Sequence, residues 1–277
     1  MEMANIQLQG KIFIRGEIET TTGLHIGGSA GELDIGGVDN PVIRNPLTRE
    51  PYIPGSSLRG KMRSLLDRHL NRPLNKPIRR NAPRVRIHEC DKLTDYNECS
   101  VCQVFGVAPT RSMEDTMPTR LIVRDALLTP ETRERFDEID TDMPYTEVKT
   151  EVAIDRITSA ATPRQNERVP AEATFGPMEM IHSLYTLDTD SEKSVDREIA
   201  LFDAVLTGME LLEDDYLGGS GSRGSGKIAF RNLKVIFKSR KYYKNPESDP
   251  ITLAEGDGVA SLRSADYQSQ ISDAIQA

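Results

Sequence analysis

Hydrophobic spacing along this 277-residue chain switches between a period of two and a period of about 3.6, and that alternation restricts the fold more than any other feature. Residues 5–20 place Ile6, Leu8, Ile12, Ile14 and Ile18 at strand spacing. From Gly55-Ser56-Ser57 the period lengthens, and Leu58, Met62, Leu65, Leu66 and His69 fall on one arc of a helix. Strand signals return at Arg120–Leu128 and Thr174–Leu187. A second helix fits Val195–Leu217, with Ile199, Phe202, Val205, Leu206, Met209 and Leu212 on its buried side, and a strand follows at Lys227–Lys238. Strand, helix, strand, strand, helix, strand is the order of a ferredoxin-like α+β core.

Long insertions interrupt that order. A Gly- and Pro-rich connection runs from Thr20 to Gly55, longer than a compact domain keeps unless the segment is functional or disordered. Residues 71–118 read as an irregular insertion, and Glu147–Ala173 as an extended polar hairpin. The stretch after Lys238, with Pro246, Pro250 and many small polar residues, reads as peripheral, and no internal repeat is visible. No apolar run approaches the roughly 20 residues of a membrane span. The alternating N-terminus lacks a signal-peptide core, so a cytoplasmic protein without a membrane partner is expected.

Net charge is −8, which by itself argues against nucleic acid. Its distribution argues otherwise: from Arg59 to Arg86 there are ten Lys or Arg and a single acid, Asp67, whereas acids dominate Asp125–Asp155 and Asp188–Asp215. One basic stripe on an acidic body can guide a polyanion along one path, or it can be a solvated face. Ser56 or Ser57 is placed to cap the helix that carries Arg59, Lys61 and Arg63, and a capped N-terminus favours phosphate.

His88-x-Cys90 and Cys99-x-x-Cys102 supply one His and three Cys, the number and chemistry of a closed structural zinc site. Three free thiols in a reducing compartment are the alternative. In the glycine-rich loop from Gly218 to Lys227, Gly221–Lys227 imitates a P-loop but fails on two counts. Ile228 stands where Ser or Thr would meet magnesium, and the loop leads from helix to strand rather than the reverse. Its glycines still permit close approach of a phosphate, with Arg223 as the charged anchor. A first glycine-rich loop holds His25, then Asp39 beside Asn40-Pro41; by spacing alone His25 can simply support the loop, and Asp39 can be an ordinary turn cap.

Taken together, "GLHIGG", "DNPVIRNPLTREPYIPGSSLRGKMRSLL", "IDRITSAATPRQNERVPAEATF" and "GGSGSRGSGKIAF" resemble the RAMP superfamily. They are most similar to the backbone subunits of type III-A CRISPR (Csm) effector complexes, with type III-D relatives close behind, and the likeness runs from about Ile6 to Phe237.

The resemblance implies a single domain with insertions over 1–277: a modified ferredoxin-like (RRM-type) palm, a zinc-containing insertion at about 72–118, a thumb hairpin at about 147–176 and a peripheral stretch at about 239–277. It implies a filament of copies along a guide (CRISPR) RNA, together with the other effector subunits and a complementary target RNA. The guide would meet Ser56, Ser57, Arg59, Lys61, Arg63 and the loop Gly219, Ser220, Gly221, Ser222 and Arg223, with His25, Arg164 and Arg168 also near RNA. Asp39, and not the nearby Asp34, falls at the family's catalytic position, which implies a Mg²⁺- or other divalent-ion-dependent endoribonuclease cutting target RNA at six-nucleotide intervals. The competing expectations are a backbone that binds RNA without cutting, a guide-processing ribonuclease using His25, and an unrelated zinc scaffold.

Overall fold

The computed structural model describes residues 5–28, 38–79, 82–108, 116–139, 141–187, 193–245 and 248–276; Asp34 lies outside them. The elements are β1 (Ile6–Thr20), β2 (Tyr52–Ile53), α1 (Gly55–His69), β3 (Lys76–Arg79), β4 (Ala82–Ile87), α2 (Leu93–Asn97), α3 (Ser100–Phe105), β5 (Leu121–Val123), β6 (Ala126–Leu127), α4 (Pro130–Asp137), β7 (Glu147–Ile154), β8 (Ala161–Arg168), β9 (Thr174–Leu187), α5 (Lys193–Asp214), β10 (Ile228–Ser239), α6 (Arg240–Lys244), β11 (Ile251–Gly256), α7 (Val259–Leu262) and α8 (Tyr267–Gln276).

The chain is a mixed α/β protein built on a five-stranded antiparallel sheet in the order β11-β10-β1-β9-β5. β1 lies at its centre and contributes Ile12, Ile14 and Ile18 to one face; the cross-strand partners Phe237, Val235 and Phe230 lie on that face too. α1 and α5 cover it. Leu58, Met62 and Leu66 are buried along α1, and all six apolar positions read from the sequence along α5 are buried. The expected order of core elements is present as β1, α1, β5, β9, α5 and β10. Arg120–Leu128 divides into β5 and β6 because Arg124-Asp125 turns aside, and Asp125 Oδ1 accepts the Gly55 N–H at 2.7 Å. Pro54 is the residue before α1 and has no capping side chain, so the first amide of the helix is taken by the distant Asp125. This corrects the reading of Ser56 or Ser57 as the cap.

The C-terminal stretch is not peripheral. β11 extends the sheet, and Leu253, Val259, Leu262 and Ile271 are buried in the common core. Arg263 fastens α7 to α5 through Glu210, Asp203 and Thr207. Its small polar composition hides these few inward positions. Among the described residues no helix is long and apolar enough to cross a membrane.

Candidate nucleic-acid interface and metal centre

Three neighbouring strands end together: Thr20 of β1 is opposite Ile228 of β10, and Glu19 is opposite Thr174 of β9. The first glycine-rich loop, the second one and the β7–β8 hairpin all leave from this end of the sheet, which is why residues some two hundred positions apart in sequence meet there. Gly219 N–H donates to the His25 carbonyl at 2.7 Å, and Gly226 N–H donates to that of Gly23 at 2.9 Å. Gly218 must be glycine, because φ is +77° and a Cβ would stand 2.2 Å from the His25 carbonyl oxygen. Gly221–Arg223 forms a 3-10 turn.

Asp39 and Asn40 lie along β8. Gln165 N–H donates to Asp39 Oδ2 at 3.3 Å, Asn40 Nδ2 to Asn166 Oδ1 at 2.9 Å, and Glu167 N–H to the Asn40 carbonyl at 3.1 Å. The Asp39 side chain is exposed. Next to it opens a cleft of about 450 Å³ lined by Asn40, Glu151, Val152, Ala153, Arg164, Asn166 and Arg223. Arg223 pairs with Glu151 at 2.8 Å, and Lys149 Nζ donates to the Arg223 carbonyl at 3.0 Å, so the glycine-rich loop is docked on the hairpin. Arg168 is turned to Glu147 at 2.6 Å. His25 Nδ1 lies 2.6 Å from the Glu167 carbonyl, which ties the ring to the same hairpin. The expected residues Asp39, His25, Arg164, Arg168 and Gly219–Arg223 are thus brought together. Sequence reasoning did not single out Glu151, Asn166, Arg44 or the buried Glu167, because nothing in the polar run around Glu167 marks it as the inward-facing member of β8.

The α1 residues occupy a second region. Ser56 is exposed and Ser57 half-buried at the first turn. The cations beyond them are engaged by the protein. Arg59 donates to the Phe105 carbonyl and lies 5.5 Å from the Phe105 ring; burial, with Arg63 beside it, lowers its pKa. Arg63 donates to the His88 carbonyl at 2.8 Å, and Lys61 pairs with Asp215 at 3.0 Å over the Tyr216 ring.

Those carbonyls belong to the cysteine insertion. His88, Cys90, Cys99 and Cys102 are all buried, with their ligand atoms within 4.8 Å of one another. Bond lengths of about 2.3 Å to sulfur and 2.05 Å to nitrogen give tetrahedral edges of about 3.8 Å (S–S) and 3.6 Å (N–S). His88 Nε2 stands 3.6 Å from Cys90 Sγ and 3.4 Å from Cys99 Sγ, so the donor set fits a single zinc-sized ion. His88 Nδ1 lies 3.0 Å from the Pro73 carbonyl, which holds Nε2 towards the thiols, an arrangement typical of a metal-ligating imidazole. Cys99 precedes α3, where hydrogen bonds from the Cys102 thiol and N–H and from His88 outweigh burial and pull its thiol below the ordinary value.

A model of the RAMP superfamily matches residues 17–229. The protein named CRISPR system Cms endoribonuclease Csm3 from Methanothermobacter thermautotrophicus is 42% identical over 268 residues, covering 93% of this chain and 98% of the relative. Its namesake from Methanocaldococcus jannaschii is 41% identical, covering 94% and 93%. Among solved structures, the Csm3-Csm4 subcomplex of the type III-A CRISPR-Cas interference complex matches with a TM-score of 0.57 at 31% identity, over 96% of this chain and 97% of that one. The Methanopyrus kandleri Csm3 crystal structure has the same fold, with a TM-score of 0.54. The chain belongs to the RAMP superfamily and, within it, to the Csm3 family.

Proposed function

We propose that this chain is the RNA-binding backbone subunit of a cytoplasmic type III CRISPR effector and that Asp39 cuts the complementary target RNA. The observation that carries this reading is the exposed Asp39 carboxylate, held by β8 at the rim of a cleft that also presents Arg164 and Arg223. The five-stranded sheet with α1 and α5 is then a modified ferredoxin-like palm, and the β7–β8 hairpin is the thumb. Guide phosphates run past the first turn of α1, at Ser56 and Ser57, and along Gly219, Ser220, Gly221, Ser222 and Arg223. The donors of Arg59, Lys61 and Arg63 that the protein does not use add charge to that path. Arg168 and His25 stand beside it. Further copies of the chain stack along the guide, and the remaining effector subunits complete the assembly.

The inserted hairpin unstacks the target locally and brings one linkage toward in-line geometry. The ribose 2′-oxygen gives up its proton to Asp39 or to solvent and attacks the adjacent phosphorus, and the 5′-oxygen leaves with a proton taken from solvent, giving a 2′,3′-cyclic phosphate and a 5′-hydroxyl end. Asp39 is placed to take the 2′-hydroxyl proton or to hold a divalent ion. The neighbouring oxygens of Asn40, Asn166 and Glu151 are hard donors of the kind Mg²⁺ accepts. Such an ion would supply charge neutralisation at the phosphate. The four-ligand cluster of His88, Cys90, Cys99 and Cys102 holds a structural zinc, since all four positions are protein ligands and none is left for substrate. His25 serves the loop rather than guide processing, because its Nδ1 is committed to the Glu167 carbonyl.

The test is an assembled complex carrying Asp39→Ala. It should bind complementary RNA as the wild type does and leave it uncut. The wild type should cut at six-nucleotide intervals, stop in EDTA, and be largely unaffected by Asp34→Ala. Regularly spaced cleavage by the Asp39→Ala complex would move the chemistry to another residue or subunit.

A further inference from the structure

Resting on the reading of Asp39 as the cleaving carboxylate, we infer that Glu167 is the positioning residue of its loop. Glu167 does so by gripping the backbone just beyond Asp39 and seating it against the hairpin. Glu167 is 1% exposed, and a buried carboxylate is costly unless its lone pairs are satisfied. Three donors satisfy it: Val42 N–H at 2.7 Å, Arg44 Nη2 at 2.5 Å and Thr146 Oγ1 at 2.6 Å. Burial would raise its pKa, but the bonds from Thr146, Arg44 and Val42 outweigh burial and hold it below the ordinary carboxylate value. Its main chain adds two contacts, the N–H to the Asn40 carbonyl at 3.1 Å and the carbonyl to His25 Nδ1 at 2.6 Å.

Asn40 and Val42 are one and three residues past Asp39, so one side chain and its own amide fix both ends of the short segment that aims the carboxylate. Arg44 completes the frame by donating to the carbonyls of Arg49 at 2.7 Å and Pro144 at 2.9 Å. Because Glu167 is on β8 and Thr146 is next to β7, the loop is fixed to both strands of the hairpin. The hairpin that distorts the target and the carboxylate that cuts it therefore move as one body. A misplacement of about 1 Å at a reacting group costs on the order of 100-fold in rate, so this frame has a direct kinetic consequence.

The experiment compares assembled wild-type, Glu167→Gln, Thr146→Val and Asp39→Ala complexes under single turnover with saturating target RNA, alongside guide content and target affinity. Glu167→Gln keeps the size of the side chain and an acceptor for Val42 but removes the charge facing Arg44. It should cut about 10- to 100-fold more slowly at unchanged sites. Guide content and target affinity should stay within about twofold of wild type. Thr146→Val removes one donor without changing shape, so it tests the same frame if Glu167→Gln fails to assemble. It should slow cutting about three- to tenfold. Wild-type cutting by Glu167→Gln overturns the inference, as does a rate loss matched by an equal loss of affinity, which would mark a merely structural ion pair. An Asp39→Ala complex that still cuts sinks the reading beneath it as well. An inert Asp39→Ala complex beside a fully active Glu167→Gln complex removes the positioning role alone.

Discussion

Replacing Glu198 with leucine tests how the cysteine-bearing insertion is fastened to the core. Arg120 is 1% exposed and gives Nε and Nη2 to the two carboxylate oxygens of Glu198, each at 2.6 Å. Its Nη1 reaches the Tyr96 hydroxyl at 3.3 Å and the Gln103 carbonyl at 3.1 Å, both in the insertion. Without Glu198 the guanidinium stays buried and unpaired, a loss of about 3–5 kcal/mol. At about 2.1 cal/mol/K per residue, unfolding 277 residues carries about 0.58 kcal/mol/K. The melting temperature of Glu198→Leu should therefore fall by about 5–9 °C. The double change Arg120→Met, Glu198→Leu replaces the pair with apolar volume and should return to within about 2 °C of wild type. Thermal unfolding of the purified subunit, followed by circular dichroism, reads both. A single variant that loses less than about 2 °C, or a double variant that melts as low as the single, would refute the account of a stranded charge.

Two further outcomes follow from buried groups. Both ring nitrogens of His182 lack a hydrogen-bond partner, and burial, with Arg120 nearby, lowers its pKa to about 3. The folded protein keeps the ring neutral while the unfolded chain takes up a proton near pH 6.5, so stability is lost as pH falls from about 6.5 towards 3. His182→Leu should melt higher than wild type by a margin that grows at up to about 1.4 kcal/mol per pH unit in that window, and parallel melting curves would contradict this. Purified protein should contain about one zinc per chain. Cys99→Ser with Cys102→Ser should lose it and raise amide exchange across 88–105 while leaving β1, β9 and β10 protected; metal analysis that returns no zinc from protein never exposed to chelator would remove the site.

Features with a local cause were legible in the sequence. The buried face of α5 was readable because helical period and burial share one geometry, and the His88–Cys102 cluster because thiols and imidazole at close spacing have few other uses. Features that depend on distant partners were not. Ser56 and Ser57 have the chemistry of caps, but Asp125, far along the chain, takes the Gly55 amide. Arg59 and Arg63 read as part of a basic stripe, whereas each spends a donor on a carbonyl of the insertion. Spacing alone left Asp39 an ordinary turn residue. Its setting depends on β8, which approaches it only through the fold, and the family resemblance was needed to single it out.

The C-terminal strand β11 has a consequence for self-association. An open sheet border offers unpaired amides and carbonyls to any passing strand and is a route to uncontrolled polymerisation. Here β11 covers Leu233–Phe237 of β10, and the opposite border is the three-residue β5, which ends against Arg124 and its ion pair with Glu179. Each border ends in a short strand, six residues of β11 on one side and three of β5 on the other. A protein proposed to line up with copies of itself thus offers only short edges for adding strand to strand. Copies lined up along a shared RNA would then meet through their side-chain surfaces rather than through a continued sheet.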